Sequence, residues 1–131
     1  MGNGTSIGRV RGLGSAKEGV HHWWNQRVTA GSNLLLMLWF LASLLRLPGY
    51  DYQTIALWLS SPWAAVPMIL LIVSVFYHFR LGLQVVIEDY QHDESRIVLL
   101  LLVNFFAIGA GALAVFAILK IAFTATTGAP A

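Results

Sequence analysis

The 131-residue chain contains no cysteine. That excludes disulfides, thiolate zinc sites and iron–sulfur clusters ligated by this chain, so any metal it holds must be taken by histidine or carboxylate. Charge is nearly as scarce: Asp, Glu, Lys and Arg make up 11% of the residues and the net charge is +2. The basic residues are scattered and form no groove-binding patch, which argues against nucleic acid as a partner. Histidine is limited to four positions. What is abundant is apolar side chain, at 57% of the residues. A soluble domain of this size has too little interior to hide so much, so lipid is the expected solvent. There is also no room for a separate catalytic domain.

Three apolar runs are long enough to cross a bilayer, at residues 28–47, 63–87 and 97–123. The expected fold class is therefore an all-α membrane protein with three transmembrane helices. Residues 1–27 form a polar, Gly-containing N-terminal segment, 28–123 a three-helix membrane anchor domain, and 124–131 a short C-terminal tail. Pro48-Gly49 ends the first run, since Pro interrupts the helix and Gly favours a turn. A loop is expected from residue 50 to 62, with Trp58 and Trp63 as interfacial anchors. Pro67 falls in the first turns of the second span, where a missing N–H costs little. No cleavable signal is expected. Met1-Gly2-Asn3-Gly4-Thr5-Ser6 fits a myristoylation pattern, but such patterns arise readily by chance and three spans need no acyl anchor.

Lys and Arg set the expected orientation. Arg9, Arg11, Lys17, Arg27 and Arg96 fall on one side, and Arg46 and Lys120 on the other. The excess predicts a cytoplasmic N-terminus and a periplasmic C-terminus. Three spans do not divide into two equal inverted halves, which counts against the common secondary-transporter plan. Ala107, Ala110, Gly111 and Ala114 recur at helical spacing and would let another helix approach closely.

The chemistry concentrates in the second span. His78 stands amid apolar neighbours, and an ionisable residue within a span points to function because desolvation is costly unless the group is paired or coordinated. Eleven residues return a helix to within roughly 20° of its starting face, so His78 and Asp89 share one stripe, with Gly82 and Val85 between them. The rise between them is about 16 Å, half a hydrocarbon core. A neutral imidazole near the midplane suits haem ligation, and Gly82, one turn on, would leave room for a flat macrocycle. The alternative for His78 is a hydrogen bond to a neighbouring helix. Asp89-Tyr90 lies where the helix leaves the bilayer. A phenol can donate to a quinone carbonyl and a carboxylate can serve its proton supply, while the plainer reading is an aromatic belt residue beside a helix-ending acid. Arg27, just before the first span, would meet a haem propionate or Asp89, or serve as a surface anchor. Arg80, nearly opposite His78, either snorkels or pairs with a partner carboxylate or lipid phosphate.

Gly19-Val20-His21 with Arg27, then His78, then Asp89-Tyr90 eleven and twelve residues later, resembles the hydrophobic membrane anchor family of succinate dehydrogenase, respiratory complex II. The likeness spans all three runs, is most specific in the His…Gly…Asp-Tyr spacing, and is similar in style to alphaproteobacterial-like members. It implies pairing with a second three-helix membrane anchor in a bacterial inner membrane. It implies a shared b-type haem with His78 as one axial ligand, Gly82 packing beside it, and His21 and Arg27 near the propionates. It further implies that Tyr90 and Asp89 bind ubiquinone, and that flavoprotein and iron–sulfur partner subunits bring FAD and the clusters that pass electrons from succinate. His22 stands where the family often has an acid. On this reading the chain is a subunit of an enzyme and holds no catalytic residue alone.

Two other classes stay open on the residues. A cofactor-free structural subunit of a respiratory membrane complex would leave His78 as a packing residue. A small proton-coupled transporter would use Asp89, yet that role wants an acid within the span and Asp89 is expected at its end.

Overall fold

The computed structural model describes residues 16–127 apart from His92, and the side chains of 19–125 within that range. The myristoylation pattern, Arg9 and Arg11 lie outside the described residues. Four helices follow one another: α1 (Ala16–Arg46), α2 (Tyr52–Ser60), α3 (Pro62–Tyr90) and α4 (Ser95–Thr127). Three of them are long and apolar enough to span a membrane, over Gly19–Arg46, Pro62–Tyr90 and Ser95–Ala125. The helices exceed the apolar runs at nearly every end. At 1.5 Å per residue, helices of this length rise about 45 Å, well beyond a hydrocarbon core of roughly 30 Å, so their ends stand in the headgroup region. There polar residues such as Asn25, Gln26 and Glu88 continue the helix without cost to the apolar middle.

α3 is the central element. It packs against α1 on one side and α4 on the other, and among the described residues the α1 and α4 backbones do not approach each other closely. The α3–α4 seam uses the small residues anticipated from sequence. Ala107 is buried, and a Cβ added at Gly111 would stand 3.5 Å from the Phe76 ring, so the helices meet at van der Waals distance. Phe79 and Phe106 add a tilted ring pair at 6.1 Å.

The expected loop of residues 50–62 is corrected: it contains α2. Asp51 caps that helix, its carboxylate accepting from the Thr54 amide at 3.1 Å and the Thr54 hydroxyl at 2.7 Å. These bonds, the side-chain one first, hold the Asp51 carboxyl below its ordinary value. Trp58 stacks on Trp39 of α1 at 6.0 Å, and α2 packs against α3 and α4 around Leu59, Ala65 and Ile118. The apolar content of this stretch reads as an interfacial loop until the partner rings of α1 are known. Gly49 is also explained differently from expectation. No described glycine has positive φ, but a Cβ at Gly49 would come within 3.0 Å of the Asp51 carboxylate, so the chain needs room there rather than an unusual turn. Pro67 lies in the second turn of α3 and removes one backbone bond, to the carbonyl of the exposed Trp63.

Candidate functional site

α1 and α3 lie against each other with polar residues on their facing sides, where a polar group between apolar helices is costly unless it finds a partner. His78 is half-buried, and its Nδ1 lies 2.9 Å from the Thr29 hydroxyl of α1. Thr29 Oγ1 also lies 2.8 Å from the Asn25 carbonyl and 3.2 Å from that of Gln26. His78 Nε2 makes no hydrogen bond to any described residue. One position before, the Tyr77 hydroxyl accepts from Asn25 at 3.4 Å. One turn further along each helix, Asn33 Oδ1 and Ser74 Oγ are buried without a hydrogen-bond partner among the described residues. Among the described residues no group of three or more His, Cys, Asp or Glu side chains could hold a metal unaided. What the site offers is a single imidazole.

Gly82 sits against α1. A Cβ there would lie 3.8 Å from Gln26 Nε2, an ordinary contact distance. Beyond it, toward the Asp89 end of α3, the two helices part around an open groove of about 770 Å³. Its walls include His22, Trp23, Gln26 and Arg27 of α1 and Gln84, Val85 and Glu88 of α3. The Arg27 guanidinium lies over the Trp23 ring, 5.3 Å from its centroid. His22 Nε2 is buried and has no hydrogen-bond partner among the described residues, and Gln84 donates to Glu88 at 3.0 Å. The groove therefore offers a cation, an orphaned imidazole nitrogen and an apolar wall on the side of the membrane to which Arg27 belongs.

Of the residues singled out from sequence, the structure brings His78, Gly82 and Arg27 to the α1–α3 seam. His21 is exposed and does not line the groove, whereas His22 does. Asp89 and Tyr90 occupy the last turn of α3, both exposed, with the Tyr90 side chain 79% accessible. Asp89 is at the end of a span and not inside one, so it lacks the setting a coupling carboxylate for transport would need. Arg80 lies on the other side of α3, in a cleft of about 460 Å³ against α4, its Nε buried and without a partner among the described residues. Thr29, Gln26 and Glu88 had no sequence signal of their own. Their only advance mark was polarity close to an apolar run.

Comparisons with known proteins agree on one family. A family model described as succinate dehydrogenase/fumarate reductase transmembrane subunit matches residues 1–126. The succinate dehydrogenase hydrophobic membrane anchor subunit of Rickettsia bellii is 38% identical over 103 residues, covering 78% of this chain and 82% of the relative. That of Rickettsia conorii is 38% identical over 104 residues with the same coverage, 78% and 82%. The Paracoccus denitrificans subunit is 29% identical over 87 residues, covering 66% of this chain and 67% of the relative. No solved structure matches the chain significantly.

Proposed function

The chain belongs to the succinate dehydrogenase/fumarate reductase transmembrane subunit family as a succinate dehydrogenase membrane anchor of the bacterial inner membrane, and from that membership we propose that it helps hold a b-type haem and forms part of a ubiquinone-reduction site. The observation that carries the reading is His78 itself. It is a half-buried imidazole in the middle of an apolar helix, with Nδ1 engaged by Thr29 and Nε2 without a partner among the described residues. A neutral imidazole with one nitrogen occupied and the other open is what axial haem ligation requires. His78 would be this chain's single ligand to the haem iron, and a second ligand would come from the other membrane anchor of the complex. Gly82, one turn on along the same stripe of α3, then leaves room beside the ligand for a flat macrocycle. Arg27, with His21 and His22 close by in sequence, supplies cationic and hydrogen-bonding groups for anionic propionates, and the buried Nε2 of His22, without a partner among the described residues, fits that role.

A b-type haem held there supplies one-electron redox chemistry within the membrane. Flavoprotein and iron–sulfur partners bring electrons from succinate, with their FAD and clusters, to the face where Asp89 and Tyr90 emerge. The Tyr90 hydroxyl has no partner among the described residues and stands open to water and lipid headgroups. It is placed to donate to a quinone carbonyl, and Asp89 to keep protons available at that edge, because reduction to the quinol takes up one proton per electron. The same orientation puts the N-terminus and the α3–α4 connection in the cytoplasm, following the Lys and Arg excess.

The test is a reduced-minus-oxidised spectrum of the intact complex purified from membranes. A b-type band is expected in the wild type and its loss in His78→Leu, which still inserts because Leu suits lipid. An unaltered low-spin band in that variant would remove His78 from the ligand set.

A further inference from the structure

A threonine hydroxyl has one proton to give and lone pairs to accept with. Thr29 Oγ1 stands close to three polar atoms, and these cannot all be acceptors from it at once. The Asn25 carbonyl, four residues back on the same helix, is the nearest at 2.8 Å, and the Gln26 carbonyl lies at 3.2 Å. Threonine in a helix commonly gives its proton to the carbonyl one turn before it. With the proton committed there, Oγ1 faces His78 Nδ1, 2.9 Å away, as an acceptor. The ring must then carry its hydrogen on Nδ1 and present a bare lone pair at Nε2, the nitrogen that no described residue engages.

We propose that Thr29 is a positioning residue that fixes the His78 tautomer and ring plane, so that Nε2 is ready to bind iron before any haem arrives. The inference rests on His78 being the axial ligand and adds the reason that its ring is competent for the task. Binding iron in either hydrogen-bonding arrangement needs a deprotonated Nε2. Without Thr29 as acceptor, selecting that tautomer costs free energy, and the ring is free to rotate about its side-chain bonds. The Nδ1–H to Oγ1 bond also makes the imidazole a stronger donor to the metal, which favours the ferric state and lowers the potential. Neither Asn25 nor Gln26 replaces Thr29 in this, since both present backbone carbonyls already committed to α1.

The experiment uses the assembled complex with Thr29→Val, which keeps the shape and loses the hydroxyl, and Thr29→Ser, which keeps the hydroxyl. The midpoint potential of the b-type haem and its low-spin electron paramagnetic resonance signal are read in each, beside His78→Leu. Expected are a potential shifted upward and a broadened signal in Thr29→Val, with both returned to the wild-type position in Thr29→Ser. Wild-type potential and signal in Thr29→Val, together with loss of the haem band in His78→Leu, would overturn the role of Thr29 while leaving the ligand in place. Equal shifts in Thr29→Val and Thr29→Ser would overturn it too, because packing and not the hydroxyl would then be at work. An unchanged band in His78→Leu would remove the ligand and the positioning role together. Should Thr29→Val not assemble, Thr29→Ala against Thr29→Ser makes the same comparison by the same criteria.

Discussion

At the scale of single residues, the difference between His78 and Tyr90 is one of solvent. His78 is held between two helices, where removing its hydrogen-bonding partner leaves a polar group in a medium that cannot satisfy it. Tyr90 is exposed at the end of α3 with its hydroxyl unengaged by any described residue, so Tyr90→Phe removes one oxygen and disturbs no packing among those residues. Stability of the complex is expected to change by less than about 0.5 kcal/mol, as for other exposed substitutions. Quinone reduction should fall, because a hydrogen bond that strengthens as the carbonyl oxygen gains charge is worth about 2–4 kcal/mol in the barrier. Asp89→Asn is expected to slow turnover as well, through proton supply. Assays with ubiquinone and with a soluble dye that drains the iron–sulfur partner separate the two effects: dye reduction persists and quinone reduction drops. Wild-type quinone rates in both variants would place the site on the partner chains. His78, Asp89 and Tyr90 were legible in the sequence because an ionisable or phenolic group stands out against an apolar run. Thr29 was not, since its partner is 49 residues away and only the crossing of α1 and α3 brings them together.

At the scale of elements, α2 is the helix whose existence depends on its neighbours. Nine residues are too few for a stable isolated helix, so its cap and its packing must hold it. Trp58 reaches both Trp39 and Phe40 of α1, at 6.0 and 6.5 Å between ring centroids. Asp51 closes the N-terminus and interacts favourably with the helix dipole while ionised. Its folded-state pKa lies below the ordinary 3.8, so the contribution is fully present above that value and is lost as pH falls through the lowered one. Amide exchange at Thr54 and Ile55, taken relative to the intrinsic rate at the same pH, is therefore expected to quicken on acidification below about pH 4 in the wild type. In Asp51→Ala it should be fast already at neutral pH and lack that acid step. An exchange rate at Thr54 indifferent to both changes would mean that the Trp58 stack alone holds α2.

At the scale of the whole molecule, the interior is thin. Among the described residues nine apolar residues are buried, four of them alanines, and no polar residue is buried as a whole, although single atoms of His22, Asn33, Ser74 and Arg80 are. Large apolar groups such as Leu35, Leu45, Phe105 and Leu113 face outward along the spans. The packing among α1, α3 and α4 cannot replace a solvent for these surfaces, so lipid and partner subunits complete what the chain begins. Orientation is testable because the chain has no cysteine of its own. Single substitutions Asp93→Cys, between α3 and α4, and Gln53→Cys, in α2, are both at exposed positions. A membrane-impermeant thiol reagent applied to intact cells is expected to label Gln53→Cys and spare Asp93→Cys, with the pattern reversed in inverted vesicles, read on this chain's own gel band. Labelling of Asp93→Cys in intact cells would invert the topology argued from Lys and Arg.

The sequence by itself determined the number of spans, the absence of sulfur chemistry, the identity of the stripe that carries His78, Gly82, Val85 and Asp89, and the small-residue seam of α4. Each of these depends on composition or on the fixed period of one helix, which local residues impose without help. The tertiary structure decided that residues 52–60 form a helix, that Gly82 faces Gln26, that His22 and not His21 lines the groove, and that Thr29 meets His78. Those depend on which face of α1 turns toward α3. That choice belongs to the packing of the two helices and is written in neither of them alone.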